Sequence, residues 1–284
     1  MSTAHFSAEW LQQREPFDSA ARDAAAQTLQ LPAHWHAIRP PVYRPWRVMD
    51  LACGTGANLR WLAPRLGGVQ QWLMVDHDAD LLSRLPQHLQ NTADVDGAKL
   101  DATVRFQQAN LMTELETLPW DAVDLVTASA LLDLVGTDWL QRLVALVVQR
   151  RLPLLMGLNV DGRHAWSIED DLDSLVALRF AQHQRRDKGM GAALGADAAP
   201  LLRSALQHAG YSVHCALSDW WLDGGANLEA LSLQRALISG MAAAAAEQDT
   251  VGAPQVLAWQ QRRLALAAQT QLRVGHLDLW AVPA

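Results

Sequence analysis

VMDLACGTGANLRWL, residues 48 to 62, is the stretch from which the fold of this chain is read. A short apolar run ends near the acid Asp50, Gly54 and Gly56 bracket a turn, and Leu59, Leu62, Ala63 and Leu66 recur at helical spacing. The pattern is strand, glycine turn, helix. Glycine suits such a turn because a backbone without Cβ can bend sharply and come close to a ligand, and the helix start that follows offers free N–H groups to an anion.

Working outward, a second strand is predicted over Gln71 to Val75, closed by Asp76 and followed by the helix-like DADLLSRLPQHL. A polar loop, residues 91 to 101, leads to a third strand, Thr103 to Gln108. Asp124 to Ser129 is a fourth. A helix from Asp138 to about Arg150, capped by Thr137, precedes a fifth strand, Pro153 to Asn159. Strands alternating with helices of this length predict a doubly wound, mostly parallel, Rossmann-like α/β sheet with helices on both faces and ligands at the carboxyl ends of the strands. Seven strands are expected in all, the last two near Tyr211 to Leu217 and Leu272 to Val282. Extra C-terminal helices are expected from Ala198 to Ala209 and between about 227 and 270. Upstream, residues 7 to 30 read as helical material that Pro16 should end or kink at Glu15, and the proline-rich residues 38 to 46 as a linker. The expected organisation is a helical cap and linker over 1–46 and one catalytic domain over 47–284, within which 160–270 holds substrate-side and helical insertions.

Composition narrows the function classes. Half of the 284 residues are apolar and 19% are charged, which supplies a sizeable core. The formal net charge of -7 argues against a dedicated nucleic-acid groove, which needs a concentrated basic face. Two cysteines, Cys53 and Cys215, are too few for a disulfide framework or a cysteine-rich zinc site, and the scattered histidines make no metal-ligand pattern. No metal is expected. The first residues carry no basic stretch followed by an apolar run, and no uncharged apolar run approaches the ~18–20 residues that span a bilayer. A cytoplasmic protein without membrane attachment is therefore expected.

Asp76 stands twenty residues after Gly56, where a carboxylate can accept from the two hydroxyls of a ribose. Nicotinamide-binding proteins share that feature. They also require a small residue where Leu59 stands, and an acid at Asp50 would repel a pyrophosphate while suiting an ammonium group.

With these spacings in hand, VMDLACGTG resembles motif I of the class I S-adenosylmethionine-dependent methyltransferases, and LMVDHD resembles their acidic second motif. QANL and LPWDAVDLVTASALLDLV resemble the third and fourth. The resemblance covers roughly residues 47 to 160. It implies an enzyme (EC 2.1.1.-) that uses S-adenosyl-L-methionine as methyl donor, and it implies roles for the matching positions. Asp50, Gly54 and Gly56 would surround the methionine moiety, Asp76 would bind the ribose, and Ala52 and Asn58 would be further cofactor contacts. His77 would cover the adenine face, with Asn110 beside the adenine, Leu111 as a further cofactor contact and Ser129 near the transferring methyl. Two departures stand out. Ala52 occupies a position where glycine is frequent, a tolerable change if φ stays negative there. Asn110 replaces a frequent aspartate, and its side-chain oxygen can still accept from an amino group.

Asp133 is the candidate general base, with a solvated helix-start acid as the bland alternative. Arg185 and Lys188, in the polar stretch HQRRDKG, are candidates for gripping an anionic substrate group, and Trp220 for walling its pocket. Exposed charge and core packing are their ordinary alternatives. No NPPY-like string follows the fourth strand, which removes the main argument for methylating nucleic-acid bases. The expected acceptor is a small molecule with an oxygen or nitrogen nucleophile. Protein or RNA methylation by the same fold, or a nicotinamide-dependent oxidoreductase, are the alternatives.

Overall fold

Four parallel strands form the heart of the computed structural model, which describes residues 7–41, 43–89, 101–187 and 191–284. They are β1 (Trp46–Leu51), β2 (Gln70–Asp76), β3 (Ala102–Gln108) and β4 (Leu125–Ser129). With β5 (Leu154–Trp166), β6 (Tyr211–Leu217), β7 (Trp220–Asp223) and β8 (Gln271–Pro283) they make one sheet of order β3-β2-β1-β4-β5-β8-β6, with β7 also on β8. β1 to β5 are parallel, and β8 runs antiparallel to β5, β6 and β7. The sheet has eight strands, against the seven expected. β7 was missed because its WWLD is shorter than the run that makes an alternating pattern legible.

Apolar side chains alternate across the strands, so both faces need cover. On one face Met49, Leu51, Val126 and Met156 pack with Trp139 and Leu143 of α5 (Thr137–Arg150) and Leu202 and Leu206 of α7 (Ala198–His208). On the other, Val48, Trp72, Met74, Leu125 and Trp280 meet α1 (Ala8–Thr28), α2 (Leu31–Ile38), α3 (Ala57–Leu66) and α4 (Ala79–Leu89). α6 (Asp173–Gln184), α8 (Leu228–Gln248) and α9 (Ala253–Leu266) build an appendage with its own apolar cluster around Val176, Ile238, Met241 and Trp259. The antiparallel pair β5 and β8 runs from the sheet into this appendage and carries two register shifts, between Met156 and Asn159 and between Val160 and His164. No helix of the described residues is long and apolar enough to cross a membrane.

Several expectations need correction. α1 does not end at Pro16, which is exposed, because Asp18, Ala21, Arg22, Ala25 and Ala26 bury the half after it and Trp10 packs the half before it against an apolar cluster. Packing outweighs the one backbone hydrogen bond that proline forfeits. Thr137 is the first helical residue of α5 and makes no cap; Gly136 holds that position. β5 runs seven residues beyond Asn159, to Trp166, because β8 pairs with the extension. The predicted polar loop at 91 to 101 lies, except for Asp101, outside the described residues.

Candidate active site

The residues singled out in the sequence meet at the carboxyl ends of β1, β2 and β3. In the turn after β1, Ala52 (φ +52°), Gly54 (+53°) and Gly56 (+81°) all take left-handed backbone conformations. Ala52 thus overturns the expectation of a negative φ, and its Cβ costs about 1 kcal/mol at such an angle. A Cβ on Gly56 would lie 2.5 Å from Leu85, and one on Gly54 would lie 3.2 Å from Leu11 of α1.

Asp76 ties this turn to β2. Its Oδ2 accepts from Gly54 N–H at 2.8 Å and its Oδ1 from Asp78 N–H at 2.9 Å, while His77 Nδ1 lies 3.3 Å from Oδ1. Capping of α4 falls instead to Asp78, whose Oδ1 accepts from Asp80 and Leu81 N–H. Ala109 N–H binds Asp76 O at 2.9 Å, which brings the exposed Asn110 beside the same strand end. Asn110 folds its Oδ1 onto Met112 N–H (2.9 Å). Leu111 is buried, and its carbonyl accepts from the Trp139 indole.

Beneath the turn lies a buried polar layer. Asn58 Nδ2 donates to Asp50 Oδ1 (2.6 Å) and Thr127 Oγ1 (3.1 Å), and Arg22 Nη1 of α1 donates to Asn58 Oδ1 (2.6 Å). Arg22 also lies 3.6 Å from Asp278 of β8 and stacks on the Trp61 ring at 3.8 Å. Asp50 is wholly buried, and burial pushes its carboxyl up to about 7 despite the Asn58 hydrogen bond and the Arg22 charge. Its Oδ2 has no hydrogen-bond partner.

Past β4 and β5, Ser129 is half-buried beside Gly157, and Asp133 is half-buried in the 3-10 turn Leu132–Leu134. Arg185 pairs with Asp197 at 2.6 Å, and Lys188 lies outside the described residues. Trp220 is buried, its indole donating to Asp18 Oδ1 (3.0 Å) and meeting the His276 ring at a tilt, with centroids 4.7 Å apart. Burial raises Asp18 to about 6, and burial with the Arg14 charge lowers His276 to about 4. Arg22, Asp18, Asp278 and His276 escaped the sequence reading. A signal existed for the first two. Positions 18, 21, 22, 25, 26 and 29 form a helical stripe whose other members are apolar, which implies buried charge at Asp18 and Arg22.

Residues 48–150 match the family model described as a methyltransferase domain. No curated protein matches the chain. Among solved structures, a mycolic acid cyclopropane synthase complexed with S-adenosylhomocysteine is similar at 12% identity and TM-score 0.45, over 84% of this chain and 78% of that one. A Geobacter sulfurreducens S-adenosylmethionine-dependent methyltransferase is similar at 16% identity and TM-score 0.42, over 89% of each chain. A Haemonchus contortus phosphoethanolamine N-methyltransferase is similar at 13% identity and TM-score 0.41, over 87% of this chain and 51% of that one.

The side chains gathered at these strand ends fit a ligand that carries an ammonium group and vicinal hydroxyls. Asp50 Oδ2 is an unpaired buried acceptor suited to an ammonium group. Gly54 and Gly56 leave room that a Cβ would take, and Asp76 is a carboxylate at the strand end where vicinal hydroxyls are bound.

Proposed function

We propose that this enzyme transfers a methyl group from S-adenosylmethionine to a small-molecule acceptor through an oxygen or nitrogen nucleophile. The observation that carries the proposal is the convergence of Asp50, the Gly54–Gly56 turn, Asp76 and Asn110 at three adjacent strand ends, with Gly54 N–H bound to Asp76. Asp50 and Asn58 would orient the amino-acid end, and Asp76 the ribose. His77, Asn110 and Leu111 would flank the adenine, and Ala52 would line the turn. The donor, when bound, supplies an electrophilic methyl on a sulfonium, so positioning provides much of the rate.

The acceptor would lie past β4 and β5. Support comes from the apolar cluster there, in which Trp10, Phe17 and Ala21 of α1 pack with Ala130, Leu158 and Trp220. Ser129 would stand near the methyl, and Asp133 would take the nucleophile's proton. We read Arg185 and Lys188 as contacts to an anionic substituent, and 160–270 as the segment that sets specificity.

The test is titration with S-adenosylhomocysteine and with NAD, followed by a labelled-methyl assay against fractionated small molecules. S-Adenosylhomocysteine should bind and label should pass to a small-molecule fraction; binding of NAD alone would end this reading. Asp133→Asn should slow turnover on the identified acceptor ~10²–10⁴-fold without changing S-adenosylhomocysteine affinity. An unchanged rate removes Asp133 from the chemistry.

A further inference from the structure

Between Val160 and His164 the β5–β8 ladder slips, and Asp161, Gly162 and Arg163 of β5 stand opposite Gly275 alone. A bulge of this kind re-aims the side chains it carries. Gly162 takes φ +81°, and Arg163 N–H donates to Asp161 Oδ1 at 3.0 Å. A Cβ on Gly275 would collide with that oxygen, so only glycine fits across from the bulge.

Thrown out of the ladder, Arg163 reaches the buried carboxylate of Asp219, donating from Nη2 to Oδ1 at 2.8 Å, and binds Asp161 through Nε at 2.6 Å. Arg273 of β8 joins the same carboxylate through Nε and Nη2, and its guanidinium lies over the Trp221 ring, 4.9 Å from the centroid. His276 N–H donates to Asp219 as well, at 3.0 Å. One buried acid thus holds two guanidiniums in place, so little side-chain freedom is left for a ligand to freeze.

A cavity of about 370 Å³ opens beside the bulge, between β5, β8, α6 and α8. Small-ligand pockets run from ~300 to ~1,000 Å³ and combine apolar walls with a few fixed polar groups. Arg163 and Arg273 line this one, together with Trp166, Ala177 and Met241. Trp166 is a rigid wall, since the Arg263 guanidinium lies 4.3 Å from its centroid and Trp259 meets it in a T-shaped contact at 6.3 Å. Met241 is buried.

The charges facing the cavity are one-sided. Asp161 and Asp219, which hold the arginines, do not line it. Asp173 does, but it accepts from Arg263 Nε at 3.0 Å and from the Trp259 indole at 2.8 Å, so its charge is already matched. Arg273 Nη1 has no hydrogen-bond partner among the described residues, which leaves its two N–H groups for a ligand. Apolar walls with guanidinium donors and no uncompensated acid among the described residues select an anion.

We infer that this cavity is a binding site for a small organic acid, with the apolar body against Trp166, Ala177 and Met241 and the carboxylate on Arg273 beside Arg163.

The test titrates the whole protein, without methyl donor, with three probes that share one apolar body: phenylacetate, phenethyl alcohol and phenethylamine. Calorimetry should give phenylacetate a millimolar or tighter Kd, ~10-fold or more below that of the alcohol, with the amine weakest. Arg273→Gln should cost phenylacetate ~10-fold or more and leave the alcohol within ~3-fold, with Arg273→Lys between. Ala177→Phe, which fills the cavity from α6, should abolish binding of both while the protein still melts cooperatively. In the wild type the Met241 methyl resonance should shift as phenylacetate is added, a readout that needs no variant. No binding of phenylacetate, no preference for it over the amine, or a Met241 signal that stays still would overturn the inference. Equal losses of acid and alcohol in Arg273→Gln, or full phenylacetate affinity in Ala177→Phe, would do the same.

Discussion

Asp50→Asn is expected to raise thermal stability at pH 8 while weakening S-adenosylhomocysteine binding by ~10- to 100-fold, the worth of one charge-assisted hydrogen bond. Both effects follow from the same buried carboxyl. Its value in the folded protein, about 7, lies above the ordinary 3.8, so ionising it costs the folded state more than the unfolded chain. Stability from this group is therefore greatest below pH 4 and declines as the pH climbs to 7. Over roughly 3 pH units the penalty approaches ~4 kcal/mol, reduced in practice by rearrangement of Arg22 and Asn58. Asparagine carries no such penalty and keeps an oxygen for Asn58. The thermal midpoint of the variant should exceed that of wild type at pH 8, with the gap narrowing at pH 5 and closing below pH 4.

Ligand affinity should show the opposite trend in the wild type. An ammonium binds the ionised carboxylate, so S-adenosylhomocysteine should bind more tightly as the pH rises from 6 to 8, releasing a proton. Calorimetry in buffers of different ionisation enthalpy measures that proton directly. The groups facing Asp50 are Arg22, Asn58 and Asp76, of which Arg22 lowers and Asp76 raises its affinity for a proton. A wild-type affinity that is flat across this range would contradict the ammonium assignment.

Asp76→Ala carries the second large expectation, a loss of S-adenosylhomocysteine affinity of ~100-fold or more together with a lower thermal midpoint. The carboxylate has two tasks. It would bind the ribose hydroxyls, and it already accepts from Gly54 and Asp78 N–H, joining the glycine turn to the start of α4. Alanine leaves both N–H groups without their acceptor, at about 1–3 kcal/mol each where water cannot replace it. Asparagine offers one oxygen for two donors, so its midpoint should fall between those of alanine and wild type. A lowered midpoint with unchanged affinity would make Asp76 a strut for the turn and nothing more.

The strand-end cluster proposed to hold the donor could be picked out in the sequence because its residues lie at strand ends in a parallel sheet, where an apolar run, a glycine turn and a lone acid follow one another within a few positions. VMDLACGTG and LMVDHD each display that order. The conformation of Ala52 was not legible, since nothing local distinguishes an alanine forced to positive φ from one that is not. Arg22 was hidden for a different reason. Its partners Asn58, Trp61, Gly157 and Asp278 come from α3, β5 and β8, and only the assembled sheet brings them together. α6 and β7 remained obscure because the appendage is held by contacts between helices, such as Asp173 with Arg263 and Trp259, that leave little periodicity in the chain.

The β5–β8 ribbon has a mechanical consequence. The two strands pass from the sheet into the helical appendage, so the appendage is carried on a lever whose root is the sheet itself. Bending is easiest where the ladder is interrupted, as at the register shift between Met156 and Asn159 that contains Leu158, whose φ is +54°. Movement of the appendage would thus pivot next to Gly157 and Asp278, the two residues against which Arg22 rests.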